Sequence, residues 1–300
     1  MKILINRKPV EGPWGGGNLF VKAFCESARK RGHKITFAFE DDLDLIFVQD
    51  PRYSDLGISI NEIANYKQSH PRVKIIHRVN ECDARKNTTG VDAMLKQTSS
   101  VTDTTVFVSE WTRDYHLKNG WLCNNVEVIY NGVNKEHFQK RPKIQNGKIN
   151  IVAHHWSDNR MKGADVYEFL DVLAGDDERF TFTYIGRTSS KFKNTNLISP
   201  LYGLWLGNEL SRYDVYVSGS RFDPGPNHIL ESLACEIPTI VHRDGGGAVE
   251  FAGEGCTFQD KDQLLDLLIN YASIENAVSP STWEACSDSY LDLIEGMTRS

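Results

Sequence analysis

No apolar run in this 300-residue chain approaches the roughly 20 residues that a membrane span requires. The longest, around Leu43–Val48, is already broken by an acid. The opening MKILINRKPV lacks the long apolar core and small-residue cleavage site of a signal peptide, and reads as a first β-strand. Six cysteines (Cys25, Cys82, Cys123, Cys235, Cys256, Cys286) form no CxxC pair and no Cys/His cluster at metal spacing. Nothing argues for disulfides, and thiols kept reduced in the cytoplasm are the expectation. An excess of positive charge is missing too: 34 Lys and Arg stand against 40 Asp and Glu, a net charge of -6. That leaves no global basic field for nucleic acid or anionic lipid, although HRVNECDARK (77–86) is a candidate local strip. Low-complexity tracts and short-period repeats are absent as well.

What remains is a globular composition, 40% hydrophobic and 25% charged, long enough for two ordinary domains. Short β-type runs alternate with helical patterns, which predicts an α/β protein with parallel sheets. The first series of strands is 2–6, 34–40, 43–50, 73–79, 104–109 and 126–132; the second is 149–155, 180–187, 213–219, 237–243 and 255–258. Helical periodicity appears at 18–32, with Leu19, Phe20, Ala23, Phe24 and Ser27 or Ala28 on one face, and at 164–175, 228–236 and 261–272. Polar residues 134–148, with Pro142 and Gly147, suit a linker. The expected organisation is therefore a Rossmann-like domain over 1–140, a second over 148–280, and a separate amphipathic helix within 281–300 after Pro280.

Three segments carry candidate chemistry. Gly15, Gly16 and Gly17 follow the first strand and precede a helix, where backbone N–H groups approach an anion closely. They match neither a dinucleotide GxGxxG with its downstream acid nor a phosphate-binding GK[ST] loop. Arg160 and Lys162 stand just before Gly163 and a helix. Cations there oppose the helix dipole, so an anionic ligand such as a diphosphate accounts for them better than a structural role. In SRFDPGPNHILE (220–231), Pro224, Gly225 and Pro226 force a turn, Asn227 is the expected N-cap, and Glu231 follows one helical turn in. A carboxylate there can accept from two vicinal hydroxyls, as ribose is commonly held, with Asp223 ahead of the turn. The acids of DDLD (41–44) look like a metal pair but open a strand, and are read as solvated.

Taken in order, the Gly-rich 15–17, IIHRVNECD (75–83), VFVSEWTRDY (106–115), VEVIYNGVNKEHF (126–138), the KG at 162–163 and SRFDPGPNHILESLACEIPTIVHRDGGGAVE (220–250) resemble the retaining glycosyltransferase family 4 of the GT-B fold. The resemblance spans most of the chain. It implies two Rossmann-like domains facing each other across a cleft, with the closing helix around Trp283 crossing back to the first domain. It implies transfer of a sugar from a nucleoside-diphosphate sugar to a hydroxyl acceptor with retained configuration, without metal or other cofactor. Carried over, Glu231 would hold the donor ribose and Asp223 the transferred sugar. Lys162, with Arg160, would neutralise the diphosphate, and Gly16 and Gly17 would approach it. Gly225 and Asn227 would line the donor site, and His77 would orient sugar or acceptor near the reacting carbon. Asn131 and Gly132 match the turn into the linker. Trp14, Arg78, Asn80 and Glu81 are the acceptor-side candidates. A glycan, a small molecule or, less in keeping with the acidic charge, a hydroxylated DNA base could be the acceptor.

The chain departs from that pattern at three places. Asp223 stands where the family carries the longer Glu, PGPN (224–227) replaces Gly-Phe-Gly, and His154, His155 and Trp156 stand near the position of the family's arginine. Pro224 and Pro226 have no N–H to give a ligand. Two other readings stay open on sequence alone: a nucleotide-sugar 2-epimerase of the same fold, and a non-catalytic nucleotide-sugar binder.

Overall fold

The computed structural model describes residues 1–12, 15–52, 55 and 57–299. They form two compact units. The first comprises Met1–Asp83, Thr88–Gly132 and Ser281–Ser300; the second comprises Ala84–Asn87 and Val133–Pro280. The chain thus passes between units at 132–133, earlier than the polar composition of 134–148 suggests. That stretch packs on the second unit: Val133 and Phe138 enter its core, and Ile144 N–H donates to the Arg212 carbonyl at 2.8 Å.

In the first unit the strands are β1 (Lys2–Ile5), β2 (Lys34–Thr36), β3 (Leu45–Val48), β4 (Lys74–Val79), β5 (Thr104–Phe107) and β6 (Val126–Val128). They form one parallel sheet in the order β2-β1-β3-β4-β5-β6. Its helices are α1 (Gly15–Lys30), α2 (Ile60–Ser69), α3 (Val91–Gln97) and α4 (Glu110–Lys118). A parallel sheet covered on both faces gives continuous apolar strands, and all four residues of β3, LIFV, are buried. α1 buries Phe20, Val21, Phe24, Cys25 and Ala28, whereas Leu19, expected on the inner face, is 42% exposed. The rotation follows from a second neighbour, the C-terminal helix α10 (Trp283–Arg299). Cys286, Tyr290, Leu291 and Ile294 of α10 share the core with α1, and the Phe20 and Tyr290 ring centroids are 5.0 Å apart. Arg31 reaches Asp288 at 3.0 Å and Asp292 at 2.5 Å along the rim.

The second unit repeats the plan with β7 (Ile149–His155), β8 (Phe180–Gly186), β9 (Asn196–Ile198), β10 (Val215–Ser218), β11 (Thr239–His242) and β12 (Thr257–Phe258). The parallel order is β12-β11-β10-β7-β8-β9. Helices α5 (Ala164–Asp176), α6 (Gly203–Leu210), α7 (Asn227–Ala234), α8 (Gly247–Ala252) and α9 (Lys261–Ile269) connect the strands. The chain runs outward from β7 through β9, then returns to β10 on the other side of β7. This reversal opens a crevice at the strand C-termini, where sheets of this kind take their ligands. The first sheet reverses between β1 and β3 in the same way. Among the described residues no helix is long and apolar enough to cross a membrane.

Candidate functional site

At the reversal of the second sheet, the segments after β7 and β10 lie backbone against backbone. Gly163 has φ +97, and a Cβ there would sit 2.4 Å from the Gly219 backbone; one on Gly219 would lie 2.8 Å from the Val166 Cβ. Only two glycines allow that approach. Arg221 N–H donating to the Met161 carbonyl at 2.8 Å ties the same segments together.

The approach brings two charges into contact. Lys162, closing a 3-10 turn over Arg160–Lys162, places Nζ 2.5 Å from Asp223 Oδ2 and 3.5 Å from Ser220 Oγ. Asp223 is anchored through its backbone, its N–H donating to the Gly245 carbonyl and its carbonyl accepting from Gly247 N–H at 2.9 Å. Phe222 beside it has φ +53, a strained conformation of the kind that functional sites retain. Arg85, from the short segment grouped with this unit, brings Nε within 4.0 Å of Asp223 Oδ1. Burial pushes the Asp223 carboxyl up, but Lys162 and Arg85 outweigh it and hold the group well below the usual carboxylate range.

Glu231 is the fifth residue of α7, its side chain 16% exposed, with Oε2 2.8 Å from His154 Nε2 at the end of β7. Behind this pair, His155 Nε2 lies 2.6 Å from Tyr167 Oη, and His228 Nε2 lies 3.0 Å from Ser218 Oγ. Burial, then neighbouring positive groups, drive His155 and His228 far below the ordinary histidine value, so both are neutral. Pro226, not Asn227, occupies the N-cap of α7, with φ -76 and ψ 94. The proline turn brings the helix in one residue earlier than the capping preference of Asn suggests, and Asn227 and Gly225 are half-buried in it. Arg160 is exposed and forms no ion pair among the described residues, so of Arg160 and Lys162 it is Lys162 that is brought to Asp223.

In the first unit the three glycines open α1 itself rather than a preceding loop. A Cβ on Gly17 would lie 3.0 Å from Gln49 Nε2 and 3.5 Å from Asn80 Nδ2, so side chains from the ends of β3 and β4 face the helix start. His77 and Arg78 do not join them. His77 has no exposed surface; its Nδ1 is 2.9 Å from Thr98 Oγ1, whose own proton goes to the Leu95 carbonyl at 2.7 Å. The proton of the ring therefore sits on Nδ1, and burial lowers the imidazole to about 3. His77 is thus fully enclosed and neutral in this structure. Arg78 is likewise buried, stacked 4.3 Å over Phe20 and bonded to Asn131 Oδ1 at 2.6 Å. Glu81 is buried, Asn80 is half-buried, and Trp14 lies outside the described residues. Of the DDLD acids, Asp42 pairs with Lys2 and Asp44 accepts from Lys2 N–H at 2.7 Å. Among the described residues no group of three or more His, Cys, Asp or Glu is arranged to hold a metal ion.

No family model matches the chain. One curated protein, a probable sucrose-phosphate synthase of Thermosipho melanesiensis, is 31% identical over 93 residues, 27% of this chain and 22% of that protein. The match therefore spans about a fifth of that relative's length. Solved structures match far more widely. Sucrose-phosphate synthase from Thermosynechococcus elongatus superposes with a TM-score of 0.64 at 13% identity, over 99% of this chain and 96% of that one. HepE of Anabaena, in complex with UDP and glucose, gives 0.69 at 12% identity, over 98% and 99%. TarM of S. aureus gives 0.61 at 11%, over 85% of this chain and 55% of that one. The chain has the GT-B fold.

Within this GT-B chain, Lys162, Asp223 and Glu231 gather at the reversal of the second sheet, with Gly225 and Asn227 in the turn between the two acids. Gly16, Gly17 and Asn80 gather at the corresponding end of the first. His154 and Arg85 carried no assigned role at the sequence level, and both bond or pair with the acids. His154 was visible only as a departure from the family motif, and Arg85 only as a member of the basic strip 77–86.

Proposed function

We propose that the protein is a metal-independent, retaining glycosyltransferase that moves a sugar from a nucleoside-diphosphate sugar to a hydroxyl acceptor. The observation that carries this reading is the gathering of Lys162, Asp223 and Glu231 at the sheet reversal of a GT-B chain. Glu231 accepts from the ribose hydroxyls. Asp223 accepts from hydroxyls of the transferred sugar, and its shorter side chain tunes which sugar is taken. The first unit supplies the acceptor side.

As the bond between the sugar and the diphosphate breaks, negative charge grows on the leaving oxygens. The Lys162 ammonium, assisted by Arg160 and by backbone N–H groups, stabilises that charge electrostatically. The acceptor hydroxyl attacks the same face of the oxocarbenium-like carbon, and its proton passes to the departing phosphate oxygen, so configuration is retained. With His77 enclosed, no imidazole is assigned as base. The cytoplasm is the expected compartment.

A thermal-shift screen of UDP-, GDP- and ADP-sugars tests the donor assignment: a ligand at a hundredfold excess over its Kd stabilises by about 2.7 kcal/mol. Product analysis with the stabilising donor then separates transfer, which needs an acceptor, from epimerisation, which does not. Absence of any shift with all three donor classes sinks the proposal.

A further inference from the structure

The Glu231 carboxylate is held by a residue from a strand end. His154, next to last in β7, brings Nε2 to 2.8 Å from Glu231 Oε2, and its own side chain is 8% exposed. Its backbone is clasped on both sides by the Tyr216 hydroxyl, 3.3 Å from the His154 N and 3.3 Å from its carbonyl oxygen. The ring stands edge-on to Tyr216 and His228, with centroids 5.5 and 6.1 Å away. The imidazole is therefore fixed in place as well as in contact.

Its other nitrogen, Nδ1, is buried and has no hydrogen-bond partner among the described residues. A proton on Nδ1 would be an unsatisfied buried donor, which is costly. The proton therefore belongs on Nε2, and Nε2–H donates to Glu231. Each carboxylate oxygen has two lone pairs, so Oε2 accepts from His154 and keeps capacity for a ligand hydroxyl. The effect is to lock the rotation of a carboxylate whose two oxygens would otherwise have to be ordered when the nucleotide binds.

We infer that His154 is the positioning residue for Glu231, presetting its carboxylate for the vicinal hydroxyls of the nucleotide ribose. The inference rests on the donor reading above. It gives the chain its preference for a ribonucleotide and explains why a histidine occupies this strand end.

The test uses whichever of UDP, GDP and ADP the wild type binds, together with its 2′,3′-dideoxy counterpart, in calorimetric titrations. Wild type prefers the ribonucleotide, and Glu231→Gln loses that preference. His154→Phe is expected to reduce the preference about tenfold by weakening ribonucleotide binding alone, the worth of one charge-assisted hydrogen bond. Affinity for the dideoxy form stays unchanged, and His154→Gln, which keeps a donor, restores most of the loss. A purely structural role for His154 would lower both affinities together. If His154→Phe keeps the wild-type preference while Glu231→Gln loses it, His154 has no positioning role. If wild type shows no preference, the ribose assignment fails and takes this inference with it. Should His154→Phe fold poorly, ring 15N NMR of the wild type near neutral pH decides: an Nε2–H tautomer agrees with the geometry, and an Nδ1–H tautomer overturns it.

Discussion

Lys162 Nζ lies 2.5 Å from Asp223 Oδ2, and both side chains are largely buried. Removing Lys162 leaves the buried Asp223 carboxylate with only the more distant Arg85, 4.0 Å away, and an undercompensated buried charge of this kind costs up to about 3 kcal/mol. Lys162→Met should therefore lower the urea midpoint at neutral pH. Because the folded Asp223 carboxyl is held below its ordinary value, the pair stabilises the protein above about pH 4. That contribution is lost as pH falls through the folded value. The difference between wild type and Lys162→Met should narrow toward pH 3. A difference that is constant with pH would mean the pair is not the source.

The two acids of 220–231 should fail differently. Glu231→Ala should weaken nucleotide affinity to about that of the 2′,3′-dideoxy form, whatever sugar is attached. Asp223→Ala should leave affinity for the free nucleoside diphosphate within a few-fold of wild type and mainly weaken discrimination between sugars. Competition titrations with nucleoside diphosphate and with two of its sugars measure both. Equal nucleotide affinity in wild type and Glu231→Ala would rule out the ribose role.

Much of this arrangement is legible in the sequence, because the acids, the lysine and the glycines are contiguous with their motifs. The α/β alternation is legible too, since buried parallel strands are apolar throughout. Short helices were harder. α2 carries few buried side chains, and its signal is the capping box from Ser59 to Glu62 rather than a periodic stripe. The buried face of α1 could not be read correctly, because α10, some 250 residues later, decides that Val21 and Cys25 are covered and Leu19 is not. The burial of His77 and Arg78 is not legible in the sequence for a related reason: it depends on packing by Thr98, Trp121 and Phe20 from elsewhere in the chain.

His77 gives a pH prediction of its own. Its imidazole is lowered to about 3 in the folded protein, against an ordinary value near 6.5. Between those limits the unfolded chain binds a proton that the folded chain does not, so stability rises with pH across the window. Acidification from pH 6.5 should cost up to about 1.4 kcal/mol per pH unit from this one group. His77→Gln should flatten the slope of stability against pH by close to one proton, read from urea midpoints at several pH values. An unchanged slope would show that His77 takes up its proton in the native state.

Gly163→Ala is the sharpest test of how the second unit aligns its charges. The new methyl would meet the Gly219 backbone at 2.4 Å, and φ +97 is a conformation that alanine rarely adopts. Neither contact is with the far end of a flexible side chain, so the segments after β7 and β10 must separate. Strain of this kind costs on the order of 1–3 kcal/mol, and in a chain of this size each kcal/mol lowers Tm by roughly 2–4 °C. Lys162 is the adjacent residue, so the separation also draws Nζ away from Asp223. Donor affinity should therefore fall together with Tm, although no ligand-facing side chain has been changed. Gly255→Ala is the control: a Cβ at Gly255 meets no heavy atom within 4 Å, so both quantities should stay near wild type. Wild-type donor affinity in Gly163→Ala, measured by calorimetry well below its Tm, would show that close contact between these segments is not what sets Lys162 in place.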